Sequence, residues 1–171
     1  LRSLAIGGLL HDIGKMQIPD AILKKPGPLS DAEYEVVKRH PEWGERLAGE
    51  LGLSERVRRL IRHHHERFDG TGYPDGKVSE QIDLDVRILA VCDVYDALTD
   101  ARSYKEPWTP ERALSLLHEE AGESFDPAVV DALEQVVARR LAAPAPPGEV
   151  GPPRLHVTRP WGGRPSDAAP P

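Results

Sequence analysis

Apolar residues recur at every third or fourth position along most of the chain, whereas the alternation typical of strands does not recur. Ser30 and Glu33 have the spacing of a capping box, and a proline directly follows Thr109 and Asp126, which are helix-start signals. The pattern predicts an all-α fold. Its helices are expected over residues 4–13, 30–40, 41–52, from 54 onward, and over 84–101, 109–122 and 126–141.

The C-terminal end has a different composition from the rest of the chain. Nine of the 17 prolines lie from Pro144 onward, among glycines and with few residues that build a core. Such a segment buries too little apolar surface to fold. We therefore expect a folded domain over residues 1–142 and a disordered tail over residues 143–171. An alternative is that Trp161 and its neighbouring arginines bind a partner. The composition favours a solvated, disordered end over this alternative.

Composition and charge exclude several classes of protein. The formal net charge of −6 argues against non-specific coating of nucleic acid, which needs an excess of Lys and Arg. No apolar run approaches the roughly 20 residues that cross a bilayer. The single cysteine, Cys92, rules out an internal disulfide framework and fits a reducing compartment. The expected location is the cytoplasm.

Five of the seven histidines lie at the ends of predicted helices that are otherwise apolar or capped. At 100° per residue, His64 falls in the middle of the stripe formed by Val57, Leu60 and Ile61, so it points into the protein. A lone inward histidine is most often a core residue bonded to a carbonyl. The alternative is that His64 is a metal ligand, and the other inward-facing polar residues distinguish these two interpretations.

The helix predicted over 84–101 carries acids on its apolar side. Leu89, Asp93, Asp96 and Asp100 follow one another at helical spacing, so the stripe continues into three carboxylates. For Asp100 we favour a solvated position where the helix leaves the core. Asp93, one turn after Leu89, is expected to face inward, where an acid requires a cation or a donor.

His11 and Asp12 are adjacent, and adjacent helical side chains diverge, so they share a ligand only if a metal lies at the helix end. Imidazole and carboxylate together suit iron or manganese, and more than four such ligands indicate two metals. Two metals can activate water and hold a phosphoester, which is phosphohydrolase chemistry. Lys15 would add a positive charge for a phosphate oxygen, although a solvated lysine is the ordinary case.

Taken together, these motifs resemble the HD-GYP domain, a subgroup of the HD metal-dependent phosphohydrolases. The resemblance covers residues 1 to about 137 in the order and spacing of the family. Departures are Ser79, where the family usually has Gly, and Asp83 and Ser103, where it usually has Pro. The motifs that carry the resemblance are HDIGK at 11–15, KPGPL at 25–29, HP at 40–41, HHE at 64–66, DGTGYP at 69–74 and the segment 93–104.

The resemblance implies an HD-type helical bundle with a buried centre of two or three divalent metals, iron or manganese. Asp12 is the implied bridge between metals, and His65 rather than His63 accompanies His64. The resemblance assigns a catalytic role to Asp12 and Lys15, and Lys15 also matches a phosphate contact. Tyr73 and Pro74 match residues that lie near the substrate or a partner. The full implied sets are the metal ligands His11, Asp12, His40, His64, His65 and Asp93, and the substrate contacts Lys15, Tyr73, Pro74, Arg102 and Lys105.

The implied activity is hydrolysis of the bacterial messenger cyclic di-GMP to the linear dinucleotide pGpG or to GMP. A diguanylate cyclase and an upstream receiver or sensor domain are the implied partners. The alternatives are a regulatory module that binds a cyclic dinucleotide or a cyclase without turnover, and a phosphohydrolase acting on another nucleotide. Family members carry earlier helices that supply a further Glu or His ligand. Because the chain opens without Met at Leu1, we expect it to be a piece that lacks them.

Overall fold

The computed structural model of the protein describes residues 1–101 and 106–142. Within these residues the fold is all-α, as predicted, and the one strand-like feature is an isolated bridge between Ala121 and Phe125. Two short 3₁₀ helices, Ile13–Gln17 and Ser79–Gln81, connect longer elements. The α-helices are α1 Arg2–Leu10, α2 Asp20–Leu23, α3 Asp31–Val37, α4 His40–Glu50, α5 Glu55–His63, α6 Leu84–Thr99, α7 Pro110–Glu119 and α8 Pro127–Ala142.

Local start signals were read correctly at several helices. The Ser30 hydroxyl accepts a hydrogen bond from the Glu33 N–H, and the Glu33 carboxylate accepts one from the Ser30 N–H, which completes the capping box of α3. Thr109 caps α7 in the same way through its hydroxyl. Ser54 precedes α5 but makes no capping hydrogen bond with its side chain. Helices α3 and α7 begin where the sequence places them because a cap satisfies N–H groups within one turn.

The prediction of a helix over residues 4–13 is wrong at its C-terminal end, because α1 ends at Leu10. Asp12 has left helical geometry, with φ −93° and ψ 4°, and the 3₁₀ helix follows. Gly14 explains this geometry: a Cβ there would lie 1.9 Å from the His40 carbonyl oxygen and 2.5 Å from the Gly44 nitrogen. Backbone-to-backbone packing against α4 thus replaces the last turn of the predicted helix.

His40 also differs from its predicted place at the end of a helix over 30–40. Helix α3 ends at Val37, and His40 is the first residue of α4. The short turn between them directs the His40 side chain back toward α3, where its Nδ1 lies 2.7 Å from the Val37 carbonyl oxygen.

Helix α6 joins the two halves of the core. Its N-terminal half packs Val86 and Leu89 against Leu60 of α5, and its C-terminal half packs against α7 and α8 around Leu117. Helices α1, α4 and α5 close the first half. None of the helices in the described ranges combines the length and hydropathy of a membrane-crossing segment.

Candidate metal centre

Residues that directly follow α1 and α5 meet residues of α4 and α6 where α1 ends. The Nε2 atom of His11 lies 3.5 Å from Asp12 Oδ2 and 3.7 Å from Asp93 Oδ1. On the other side of the same carboxylate, Asp12 Oδ1 lies 3.4 Å from His40 Nε2 and 3.8 Å from His64 Nε2. The two oxygens of Asp12 therefore face two different sets of ligand-type atoms.

Hydrogen bonds fix which ring nitrogen of three histidines points into this cluster. The Nδ1 atoms of His11, His40 and His64 lie 2.7, 2.7 and 2.8 Å from the carbonyl oxygens of Gly8, Val37 and Ile61. A carbonyl only accepts, so Nδ1 carries the proton and, in the neutral ring, Nε2 carries the lone pair. The carbonyl bond expected of a core histidine is present, and it also orients the ring as a ligand.

The facing lone pairs form a donor set for a cation. His40 Nε2 and His64 Nε2 lie only 3.2 Å apart, although each carries its proton on the opposite nitrogen. His11 Nε2 is buried without a hydrogen-bond partner. Ligand atoms of Asp12, His40, His64 and His65 all lie within 4.8 Å of one another. Because two imidazole lone pairs repel unless a positive charge lies between them, this donor set fits a divalent metal ion.

Burial and charge favour the metal-binding protonation states of Asp12, His64 and His65, whereas at His11 the neighbouring Asp12 and Asp93 outweigh burial and raise the pKa. Burial, together with the neighbouring histidines, holds the pKa of His64 well below its usual value, and burial and His40 do the same to the pKa of His65. Burial opposes ionisation of Asp12, but His11, His40 and Lys15 outweigh it and leave the pKa of Asp12 far below the usual range. Neutral imidazoles around an ionised carboxylate are the forms that bind metals.

Lys15 lies within the cluster and not in solvent. Its Nζ donates to Asp12 Oδ2 at 2.7 Å, and its side chain is 11% exposed. The 3₁₀ helix after Asp12 makes this contact possible because it turns Lys15 back toward the carboxylate three residues earlier. The charge predicted for a phosphate oxygen is therefore present beside the candidate ligands.

The loop after α5 brings Tyr73 and Pro74 to the same place. The Tyr73 ring stacks on His65 with the ring centres 4.8 Å apart and the planes at 27°. The Tyr73 N–H donates to the His65 carbonyl oxygen at 3.2 Å, and Pro74 follows in the loop through a cis peptide bond. Arg102 and Lys105, the other predicted substrate contacts, lie outside the described residues, as does Ser103.

Two residues have partners that sequence reasoning missed. Glu66, the acid of the HHE motif at 64–66, is 4% exposed and accepts the N–H groups of Asp75 and Lys77. His63 turns away from the cluster to Asp75, with 2.8 Å between its Nε2 and Oδ2. Backbone N–H partners leave no signal in a sequence. Asp93 faces inward and Asp100 is exposed, as predicted.

Comparison with known proteins places these observations in a family. The chain is 48% identical over 157 residues to the cyclic di-GMP phosphodiesterase response regulator RpfG of Xanthomonas campestris, covering 86% of this chain and 42% of that protein. It is 49% identical over 138 residues to the cyclic di-GMP phosphodiesterase PA4108 of Pseudomonas aeruginosa, covering 80% of this chain and 33% of the relative. The chain thus spans less than half the length of either relative.

A solved structure shares the fold. The crystal structure of a cyclic GMP-AMP specific phosphodiesterase from Vibrio cholerae superposes with a TM-score of 0.62 at 25% identity, over 82% of this chain and 39% of that one. A sequence profile described as HD domain matches residues 1–129, the part that holds all six predicted metal ligands. The chain belongs to the HD domain family.

Proposed function

We propose that this chain is a metal-dependent phosphodiesterase that hydrolyses cyclic di-GMP to pGpG or GMP in bacterial second-messenger signalling. The observation that carries the proposal is the position of Asp12, whose two oxygens face separate sets of imidazole and carboxylate atoms. Relatives that are 48% and 49% identical are named cyclic di-GMP phosphodiesterases, which supports the substrate. We propose residues 1–142 as the catalytic unit and the cytoplasm as its location.

We propose that the cluster holds two or three metals, iron or manganese. His11, Asp12 and Asp93 form one set of donors, and Asp12, His40, His64 and His65 form the other, so Asp12 belongs to both. A mixed set of imidazole and carboxylate donors suits these two metals better than magnesium or calcium, which prefer oxygen alone. Metals held by these residues would supply Lewis acidity, which lowers the pKa of bound water and stabilises negative charge on phosphoryl oxygens.

The side chains around the centre have distinct proposed roles. Asp12 stays ionised, since its neighbours hold its pKa far below the usual range, and it remains a ligand across the physiological pH range. Lys15 Nζ, already 2.7 Å from Asp12, supplies a positive charge to a phosphoryl oxygen. Tyr73 and Pro74 border the substrate beside His65. Arg102 and Lys105 stay predicted phosphate contacts.

Turnover of cyclic di-GMP by the purified chain tests the proposal. The protein is supplied with Mn²⁺, or with Fe²⁺ under anaerobic conditions, and pGpG and GMP are measured by chromatography. Asp12→Ala is expected to abolish turnover. Asp20→Ala is the matched control, because Asp20 is an exposed carboxylate that also pairs with a lysine, Lys24, and it should leave turnover unchanged. Metal-loaded wild-type protein that binds cyclic di-GMP without turnover would overturn the enzyme in favour of a regulatory module.

A cyclic GMP-AMP dinucleotide is the second candidate substrate, because the Vibrio cholerae structure that shares the fold is named for it. The same assay with both dinucleotides compares their kcat/KM values. A higher value for cyclic GMP-AMP would move the assignment to that substrate. A diguanylate cyclase and a receiver or sensor domain stay predicted partners.

A further inference from the structure

The loop that carries Tyr73 is fastened to the end of α5 by residues that the proposed reaction does not use. His63 and Arg62 immediately precede the candidate ligands His64 and His65, and Glu66 immediately follows them. All three contact one residue of the loop, Asp75, two positions after Tyr73. The loop is therefore held from both sides of the ligand pair.

Two side chains hold the Asp75 carboxylate. Arg62 donates to both of its oxygens, with Nη2 2.7 Å from Oδ1 and Nε 2.9 Å from Oδ2. His63, which is 6% exposed, contributes the third contact, with Nε2 2.8 Å from Oδ2. Arg62 is also paired with Glu45 of α4, which restricts its movement. A bidentate arginine pair joined to a buried imidazole fixes position far better than an isolated surface ion pair does.

Glu66 holds the backbone of the same residue. Its Oε1 accepts the Asp75 N–H at 2.7 Å, and its Oε2 accepts the Lys77 N–H at 2.9 Å. Gly72 lets the loop pack directly on the backbone at Arg67, because a Cβ at position 72 would lie 2.2 Å from the Arg67 nitrogen. Side chain and backbone of Asp75 are thus fixed at once, one residue beyond the Tyr73–Pro74 pair.

We propose that Asp75 is a positioning residue that holds the Tyr73 ring against His65 and so sets the wall of the substrate site. The inference gives a role to His63, the histidine that the family resemblance leaves without one. It rests on the proposed function for what Tyr73 contacts, but the fastening itself is a property of the fold. Asp75 acts through Tyr73 and touches neither substrate nor metal.

Hydrogen exchange tests the fastening without any turnover. In the full chain, Asp75→Ala should speed amide exchange in the peptide containing Tyr73 roughly tenfold or more, because the loop loses both arginine contacts and the His63 contact. Asp85→Ala is the matched control: Asp85 is also held by an arginine, Arg56, near the opposite end of α5. The control should leave that peptide unchanged. Equal exchange in Asp75→Ala and wild-type protein would overturn the proposal.

Kinetics then separate positioning from a merely structural role. Asp75→Ala should raise KM for cyclic di-GMP roughly tenfold while Mn²⁺ content and hydrolysis of bis(p-nitrophenyl) phosphate stay at the wild-type level. In a Tyr73→Ala background the same substitution should add nothing further to KM. A parallel loss of bound Mn²⁺ and of small-diester hydrolysis would show action through the ligands and overturn the proposal. If the wild type fails to hydrolyse cyclic dinucleotides, the proposed function falls, while the exchange result still decides the fastening.

Discussion

Gly14→Ala should destabilise the protein more than most single-methyl additions do. Gly14 lies where the 3₁₀ helix after Asp12 packs on the start of α4, and its added Cβ would meet the His40 carbonyl oxygen at 1.9 Å and the Gly44 nitrogen at 2.5 Å. Both atoms belong to the backbone, so no rotamer change relieves the contact. The 3₁₀ helix and α4 would have to separate, which also moves His40 away from Asp12.

The size of the effect follows from the kind of atom that obstructs the methyl group. Overpacking a core costs typically about 1–3 kcal/mol, and side-chain movement absorbs part of that cost. Here only backbone can move, so we expect a loss of about 3 kcal/mol in the free energy of unfolding. For a domain of this length, that corresponds to a fall in Tm of roughly 6–12 °C.

Gly8→Ala is the matched control and should have the opposite sign. Gly8 lies inside α1, and its added Cβ would meet only the Leu89 Cδ1 atom at 3.6 Å, an ordinary van der Waals contact. Alanine is favoured over glycine within a helix by about 1 kcal/mol, so this variant should be unchanged or up to that much more stable.

Urea unfolding followed by circular dichroism, with a chelator present, measures both variants without a contribution from bound metal. Binding of Mn²⁺ by Gly14→Ala, measured by titration calorimetry at a temperature where it is folded, should be weakened as well. A Gly14→Ala variant within 1 kcal/mol of the wild type would refute the argument that this close backbone approach holds the centre together.

Four further measurements test other parts of the structure. Ser79 has a φ of 50°, in the left-handed region, so Ser79→Gly should leave stability unchanged or raise it by up to about 1 kcal/mol in thermal unfolding, and a loss would contradict the assigned backbone. Glu66→Ala should lower the free energy of unfolding in urea by about 2–4 kcal/mol, because the N–H groups of Asp75 and Lys77 lose their buried carboxylate partner. A loss below about 1 kcal/mol would contradict this role of Glu66. Lys25 and the α3 cap lower the pKa of Glu33 from 4.5 to about 2, so the stability that the ionised Glu33 adds is complete above pH 4.5 and disappears as pH falls through 2. The Tm difference between wild type and Glu33→Gln should therefore shrink over that pH range. A Tm difference that stays constant would refute the pKa shift of Glu33. Mn²⁺ at about 100 times its Kd should stabilise the folded protein by roughly 2.7 kcal/mol, and Asp12→Asn should lose most of this gain in the same thermal assay.

Spacing along the chain was enough to predict the features that are determined within a single helix, namely its cap and the side chains that face inward. The Ser30–Glu33 cap, the inward position of His64 on the α5 stripe and the inward position of Asp93 all follow from 100° per residue and from hydrogen bonds within one turn. The order of the motifs also predicted the family, which the sequence profile over residues 1–129 confirmed. Arg102 and Lys105 stay predictions.

Contacts between elements decided the rest. Helix α1 ends at Leu10 because Gly14 packs on α4, and that early end is what brings both His11 and Asp12 into one cluster. Glu66 and His63 have partners nine and twelve residues further along the chain, in a loop. Helical periodicity determines the face on which a side chain lies, but its partner depends on which segment packs against that face, and this is a property of the tertiary structure alone.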